Sequence, residues 1–279
     1  MTKPSQGYFA LRAPIPESRA RLLGAASLTL VGLGWCVCSY LMVNRGARGG
    51  PEPLVSHLFL PSPDEVLRAL IYLIAQQGLL EAVGVSARRI IIAFTLSVAV
   101  AVPLGVLMGA FETVNRFFDP IVAPMRYLPI TAFIPLLILW FGIDEKQKII
   151  FLFLGTFVFL LPVVVDAIRA VPEELVQTSF TLGASRSQAI LTVLIPAALP
   201  QIFDSFRVMN AIAWTYIILA EIVNPRAGIG YILQLAELHM KPAWSFAGIL
   251  VVGVIGIATD LIIRLLNRLL FGWRDGTLS

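Results

Sequence analysis

Long uninterrupted apolar runs constrain this sequence more than any other feature. A run of about 20 mostly apolar residues is the length that an α-helix needs to cross the hydrocarbon core of a bilayer. Six such runs are present: Leu22–Val43, Ala87–Phe111, Ile121–Phe141, Ile149–Ile168, Ile202–Ile222 and Phe246–Leu266. Because the runs are continuous and not alternating, they predict spanning helices and exclude the strand pattern of a membrane β-barrel.

The composition supports the same class. Of the 279 residues, 58% are hydrophobic and only 14% are charged, whereas about a quarter of the residues in a soluble domain are charged. We therefore expect an all-α polytopic membrane protein with about six transmembrane helices. The first run is too long for a cleavable leader and should stay in the membrane. The net charge of +4 is spread over helix ends and loops, which gives no indication of nucleic acid binding.

The first apolar run is separated from the others by a loop rich in glycine and proline, residues 44–53. We expect residues 1–57 to form an N-terminal tail, a first transmembrane helix and a loop, and residues 58–279 to form the core domain. Residues 64–77 carry a broad apolar face but are too short to span a bilayer comfortably. They predict an interfacial helix or a short core helix.

A polar segment of about thirty residues, Arg169–Pro200, lies between two spanning runs and is longer than a simple connection requires. Pro172 followed by two acidic residues predicts the start of a helix, and Gly183 predicts the left-handed turn that ends it. Ser185 predicts the N-cap of a second helix, which we expect Pro196 to end. A mixture of small and apolar residues is expected on the exposed face, which suits a groove on a partner: Thr178, Ser179, Phe180, Ala184 and Ala189.

This segment resembles the cytoplasmic loop of the permease subunits of binding-protein-dependent ABC importers. That loop has the pattern Glu-Ala-Ala-x3-Gly-x9-Ile-x-Leu-Pro, and the matching stretch here runs from Gln177-Thr178-Ser179 through Gly183 to Val193-Leu194-Ile195-Pro196. The glycine, its distance to the proline and the aliphatic positions match, whereas the opening lacks the acid. The resemblance implies a set of residues that contact the ATPase: Gln177, Thr178, Ser179, Gly183, Ala184, Ser185 and Pro196.

A larger part of the chain, about residues 58–273, is similar to one branch of that family, the permeases of the nitrate, sulfonate, taurine and bicarbonate type. The motifs that carry this similarity are Leu60-Pro-Ser-Pro63, Pro129–Gly142, Pro196-Ala-Ala-Leu-Pro200, Ala211–Glu221 and Gly228-Ile-Gly230-Tyr231. The resemblance implies the type I ABC importer permease fold. It also implies a role as the transmembrane permease subunit of an ATP-driven importer for a small anionic solute.

The resemblance further implies the partners: ABC ATPase subunits, a second permease copy in a homodimer, and an extracytoplasmic solute-binding protein. The chain would lie in the lipid of the bacterial cytoplasmic (inner) membrane. It has no Gly-x4-Gly-Lys-Ser/Thr phosphate loop, so we expect it to bind no cofactor, with ATP and Mg²⁺ on the partner ATPase. Six helices would place both termini and the segment Arg169–Pro200 in the cytoplasm, although basic residues are divided almost evenly between the two sides.

Polar residues within the apolar runs are the candidates for the translocation pathway: Thr131, Asn210, Trp214, Tyr216 and Glu221. Structural roles stay open for several of them. Asn210 could hydrogen-bond between helices, and Glu221 could be an interfacial acid that pairs with Arg226. Thr131 lies between two prolines, which is typical of a bent pore-lining helix.

The alternative class is an intramembrane enzyme, such as a protease or a lipid-modifying protein. Such an enzyme needs a nucleophile with a base, or clustered acids or histidines. His57 and His239 lie outside the spanning runs and far from each other in sequence, and only a few acidic residues lie within the runs. We therefore expect a transport subunit without catalytic residues and without a metal site.

Overall fold

The computed structural model describes residues 16–43 and 52–272. The chain divides after Ala69 into two compact units, whereas the sequence-based boundary, after residue 57, stays a prediction. In the first unit, α1 spans Glu17–Tyr40 and precedes two short antiparallel strands, β1 (Met42–Val43) and β2 (Glu52–Pro53). Met42 is paired with Pro53, and Val43 with Glu52.

The rest of the chain is helical. Helix α2 (Pro63–Gln76) begins in the first unit, and its last residues belong to the second. The second unit then contains α3 (Leu79–Ala110), α4 (Glu112–Met125), α5 (Ile134–Phe141), α6 (Glu145–Arg169), α7 (Glu173–Thr181), α8 (Arg186–Ala189), α9 (Ile195–Ile222), α10 (Ile229–Leu238) and α11 (Pro242–Leu270).

Among the described residues, five helical segments are long and apolar enough to cross a membrane. They are Ser18–Tyr40, Leu79–Ala110, Glu145–Arg169, Arg186–Ile222 and Pro242–Leu270. Helix α4 and the segment Ile130–Phe141 form a sixth candidate, bent by 91°. The predicted all-α membrane fold with about six spans is therefore confirmed.

The prediction of one helix over Ile121–Phe141 is wrong in one respect, because this run is broken. Helix α4 ends at Met125, and a 3-10 turn over Ile130–Phe133 precedes α5. Pro129 at the break has extended backbone angles, φ −67° and ψ 108°. Proline lacks the N–H that an α-helix needs and disfavours the helical conformation of the residue before it, which accounts for the interruption.

Helices α3 and α6 lie side by side in the same direction and approach each other closely through small residues. A Cβ on Gly105 would lie 2.7 Å from Val164 Cγ1, and one on Gly109 would lie 2.7 Å from Ile168. Helix α9 packs against α6 in the opposite direction, so that a Cβ on Gly155 would lie 2.6 Å from the Tyr216 ring. Small residues that let helices approach closely are a common basis of packing in membranes.

Because of these helix directions, the two ends of the second unit contain different elements. We call them the α7 end, where α3 and α6 finish and α7 and α8 lie, and the α10 end, where α3 and α6 begin and α9 finishes. Helix α11 runs back along α9 toward the α7 end, since Trp214 lies near Gly256 and Asn267 donates to Asp204 over 2.5 Å. The two candidate sites occupy opposite ends of the unit.

Candidate coupling segment and translocation residues

The turn after α7 is a glycine-dependent helix ending of the Schellman type. Gly183 has φ +85°, a left-handed value that costs other residues conformational energy. Its N–H donates to the Phe180 carbonyl over 2.9 Å, and the Ala184 N–H donates to the Ser179 carbonyl over 3.0 Å. These two bonds satisfy carbonyls that the helix end would otherwise leave unpaired, and they confirm the left-handed turn predicted at Gly183.

Ser185 caps the next helix, as predicted. Its hydroxyl accepts a 3.4 Å hydrogen bond from the Gln188 N–H, and the Gln188 side chain accepts a 2.8 Å bond from the Ser185 N–H. This reciprocal pair is a capping box, which fixes the direction in which the chain enters the helix. The segment between α7 and α8 is thus held by local hydrogen bonds at both helix ends.

The expectation that Pro196 ends the second helix is wrong. Helix α8 continues through a π-helical turn, Ile190–Leu194, directly into α9. In a regular α-helix the proline ring would clash with the carbonyl four residues earlier, and the wider π turn relieves such a clash. The result is one continuous helical segment, Arg186–Ile222, of 37 residues.

The predicted ATPase-contacting residues are mostly accessible. Five of them are exposed: Gln177, Thr178, Gly183, Ser185 and Pro196. Ala184 is half-buried, whereas Ser179 is only 8% exposed and donates to the Val176 carbonyl. The expected exposed face is therefore corrected at Ser179 and Ala189, which point inward because they sit on the inner faces of their helices.

Sequence reasoning missed Leu182 in this segment. Its side chain is 83% exposed beside Gly183, where the chain turns between the two helices. The side chain of Phe180 is also 46% exposed. Neighbouring exposed apolar side chains of this kind often mark an interaction site, and the apolar side chain next to the glycine was the available sequence signal.

A buried ion-pair cluster lies at the α10 end. The fully buried Glu221 carboxylate accepts hydrogen bonds from Arg89 Nη1 (2.7 Å), Ser86 Oγ (2.7 Å) and the Gly230 N–H (2.8 Å). The ionic partner of Glu221 is Arg89 of α3, so the alternative of a pair with Arg226 is wrong. A single sequence does not indicate which residues 132 positions apart will form an ion pair.

The glycines that follow α9 make room for this cluster. Gly228 has φ +100°, and a Cβ at this position would overlap the Glu221 carboxylate. A Cβ on Gly230 would lie 3.2 Å from the Glu221 carbonyl carbon and closer still to its Cβ. The Gly-Ile-Gly motif therefore lets the backbone approach the acid, and the Gly230 N–H then donates to it.

The predicted pathway residues do not form one site. Asn210 and Trp214 line a groove of about 490 Å³ between α9 and α11. Tyr216 packs against α6 with its ring centroid 6.0 Å from that of Phe151, while Glu221 belongs to the buried cluster. Thr131 is exposed in the 3-10 turn before α5.

The groove between α9 and α11 is mainly apolar with a few polar groups. Asn210 Nδ2 donates to Thr259 Oγ1 over 2.9 Å, which joins the two helices in the way expected of a packing residue. Trp214 is buried, and its indole N–H has no partner among the described residues. At one end Arg207 binds Asp260 through Nε (2.7 Å) and Nη2 (3.1 Å).

Residues 101–272 match the family model described as binding-protein-dependent transport system inner membrane component. The chain belongs to this family. It is thus a permease, a non-catalytic transmembrane subunit of an ABC transport system and a multi-pass protein of the inner membrane. ATP is hydrolysed by a separate subunit, and a solute-binding protein is a further partner. The alternative of an intramembrane enzyme finds no support in this family.

Individual relatives agree with this membership. The permease is 32% identical to the taurine transport system permease protein TauC of Escherichia coli (strain K12), over 79% of this chain and 82% of that protein. It is 33% identical to SsuC of Bacillus subtilis (strain 168), named for aliphatic sulfonates transport, over 80% of each chain. The fold is similar to a chain of the MetNI methionine ABC transporter in an inward-facing conformation, with a TM-score of 0.56 and 19% identity over 67% of this chain and 95% of that chain.

Proposed function

We propose that this permease imports a small sulfonate, either taurine or an alkanesulfonate. The observation that carries this proposal is the similarity to two relatives named for taurine and aliphatic sulfonates, each over about four fifths of both chains. Nitrate and bicarbonate, the other solutes of the branch that the sequence resembles, are the competing substrates.

The stretch Gln177–Pro196, which we call the coupling segment, is proposed as the contact with the ATPase. Leu182 and Phe180 supply exposed apolar surface there, and Gln177 and Thr178 are exposed on the same short helix. Position 177 is a glutamine that donates to Glu173 over 3.0 Å, so position 177 itself supplies no carboxylate, whereas the carboxylate of Glu173 lies exposed beside it. The contact is proposed to combine the apolar surface with these polar groups. ATP and Mg²⁺ would bind to the ATPase and not to this chain.

Continuity from α8 to α9 supports a coupling role for this segment. The helical segment Arg186–Ile222 has 37 residues, which corresponds to about 55 Å at 1.5 Å per residue. No flexible loop separates the contact with the ATPase from the membrane-spanning part. A displacement at α8 is therefore passed to α9 through a continuous helical backbone, and α9 lines the groove that holds Asn210 and Trp214.

The pathway is proposed to form between two copies of this chain, with the coupling segment and both termini in the cytoplasm. The α9–α11 groove is open along one side in a single copy and carries the polar groups Asn210, Trp214 and Arg207. Within the membrane, a groove of this composition is best completed by a second protein surface, because lipid chains offer no partner to polar groups. Tyr216, Glu221 and Thr131 would then support the pathway from neighbouring positions.

Uptake into proteoliposomes tests the proposed substrate. The permease is reconstituted with its ATPase and its solute-binding protein, and labelled taurine, an alkanesulfonate, nitrate and bicarbonate are supplied separately. We expect ATP-dependent accumulation of taurine or the alkanesulfonate and none without ATP. Accumulation of nitrate or bicarbonate alone would overturn the sulfonate assignment while leaving the importer function intact.

A further inference from the structure

At the α10 end, the Arg89 guanidinium forms ion pairs with two carboxylates that differ in burial. The Arg89 side chain is 2% exposed, and it binds both Glu221, which is fully buried, and Glu145, whose side chain is 47% exposed. Arg89 Nε donates to Glu145 over 2.7 Å, and Nη2 donates to the other oxygen of the same carboxylate. Arg89 also donates to the Ala227 carbonyl over 2.9 Å.

The two ion pairs differ in what opening them would cost. Separating Arg89 from Glu221 would leave a fully buried carboxylate without its counter-charge, which is strongly unfavourable. Glu145 already faces solvent, so water can solvate its carboxylate when it leaves Arg89, while the buried guanidinium keeps Glu221 as its counter-charge. Of the two pairs, Arg89–Glu145 is the one that can open and close.

The Arg89–Glu145 pair lies where the start of α6 contacts α3 and the end of α9. We call this contact region the seam. Glu145 is the first residue of α6, whereas Arg89 and Glu221 fasten α3 to the end of α9 and, through Gly230, to α10. Two further hydrogen bonds cross the same seam. Lys148 donates to the Asn224 carbonyl over 3.0 Å, and the Asn224 side chain donates to the Ile143 carbonyl over 2.9 Å.

Helix α9 connects this seam to the coupling segment. Glu221 is the penultimate residue of the continuous helical segment that begins at Arg186. A movement applied at α8 therefore carries Glu221, and Arg89 with it, because their pair is buried and closed.

We propose that the Arg89–Glu145 ion pair is a latch at the membrane end remote from the ATPase, which opens when the ATPase subunits move α9, while the Arg89–Glu221 pair stays closed. Arg89 and Glu145 are positioning residues for transport, because their ion pair holds the start of α6 against helices α3 and α9. The inference rests on the coupling role proposed above.

The first test measures ATP hydrolysis and uptake in the assembled transporter. Glu145→Gln removes the charge of the latch. We expect ATP hydrolysis in the absence of solute to rise on the order of fivefold, as a partly exposed ion pair allows, and uptake per ATP to fall. Glu145→Asp should restore most of the wild-type ratio. Glu81→Gln is the matched control, because Glu81 is an exposed acid on the same end of α3, and it should behave as wild type.

A distance measurement tests the opening itself. Spin labels replace the exposed residues Lys146 and Arg226 on the two sides of the seam, in a chain with Cys36 and Cys38 changed to serine and each labelled copy paired with an unlabelled one. We expect MgATP with vanadate to add a population of longer distances. Glu145→Gln should show that population without nucleotide.

The outcomes separate the latch from the function on which it rests. Identical distance distributions with and without nucleotide, or a Glu145→Gln variant with wild-type coupling, would overturn the latch while wild-type uptake continued. Absence of ATP-dependent uptake in the wild type would instead overturn the proposed importer.

Discussion

At the residue scale, the buried Arg89–Glu221 pair is the contact with the largest expected energetic effect. Both side chains are almost or fully inaccessible, and Glu221 has three hydrogen-bond donors. Replacing Arg89 with alanine leaves a buried carboxylate without its counter-charge. We expect Arg89→Ala to lower the free energy of unfolding by about 3–5 kcal/mol, seen as a lower thermal unfolding temperature in detergent.

Arg88 provides the matched control for this prediction, since it is the exposed neighbour of Arg89 on the same helix. Arg88→Ala should change the stability by about 0.5 kcal/mol at most. Equal unfolding temperatures for the two variants would show that Arg89 does not neutralise Glu221.

Gly183 is the second residue with a specific conformational requirement. A β-branched side chain at φ +85° costs of order 1–3 kcal/mol, and the Schellman turn that positions Leu182 would be distorted. We expect Gly183→Val to abolish uptake while the chain still inserts into the membrane. Gly183→Asn should retain much of the activity, because asparagine tolerates the left-handed region.

Gly84→Val is the control for Gly183→Val, because a Cβ on Gly84 meets no atom within 4 Å and its backbone is helical. Uptake is measured in proteoliposomes, and insertion is measured by membrane fractionation. Wild-type uptake by Gly183→Val would contradict the role of the turn.

His57 makes the stability of the first unit depend on pH. Its ring contacts the Ser39 carbonyl through Nε2 (3.0 Å) and Glu65 through Nδ1 (3.1 Å). The Ser39 carbonyl first, and the Glu65 carboxylate in addition, raise the pKa of His57 above its usual value. The stabilisation by the charged ring is complete below the unfolded pKa of about 6.5 and is lost as the pH rises through the higher folded pKa.

The unfolding temperatures of wild type and His57→Ala should therefore converge as the pH rises from about 6 to 8. His239→Ala is the comparison, since His239 bonds to the Leu235 carbonyl of its own helix. A constant difference between wild type and His57→Ala across this range would contradict the assignment.

At the element scale, the continuous helical segment Arg186–Ile222 is the feature on which the proposed coupling depends. Three glycines inserted between Leu194 and Ile195 would place a flexible joint inside it, since glycine is a poor helix former. We expect the ATPase still to co-purify with the variant, but uptake to be lost. The same insertion after Gly272, beyond the end of α11, should leave uptake unchanged. Normal uptake with the joint inside the segment would show that no rigid connection is needed.

Local rules predict much of these elements from the sequence. The six apolar runs locate the spans, Gly183 locates the left-handed turn, and Ser185 locates the helix cap, because each depends on a few neighbouring residues. The same rules fail at Pro196, because a π turn accommodates this proline within a continuous helix, and in the run Ile121–Phe141, because the helix is interrupted at Pro129.

Contacts between distant residues could not be predicted in the same way. The partner of Glu221 lies 132 residues away, and that of Arg207 lies 53 residues away. Such pairs depend on which helices pack together and in which direction, which a single sequence does not specify. The latch at Glu145 therefore depends entirely on the three-dimensional arrangement.

At the scale of the whole molecule, the two candidate sites lie at opposite ends of the packed helical core of the second unit. The coupling segment lies at the α7 end and the Arg89 cluster lies at the α10 end, with α9 connecting them. Family membership gives the permease an ATPase partner, and the α7 end is the contact proposed for it. The structure shows how a movement there would reach the opposite end without passing through a flexible loop.

The central claim, that the α7–α8 segment contacts the ATPase, is tested most directly by photo-crosslinking from Leu182. A photoreactive amino acid replaces Leu182, which is 83% exposed, and in a separate chain Leu261 of α11, which is 54% exposed. In transport-competent membranes we expect the ATPase to be captured from position 182 and not from position 261. Failure to capture the ATPase from position 182, in complexes that still hydrolyse ATP and take up solute, would contradict the account.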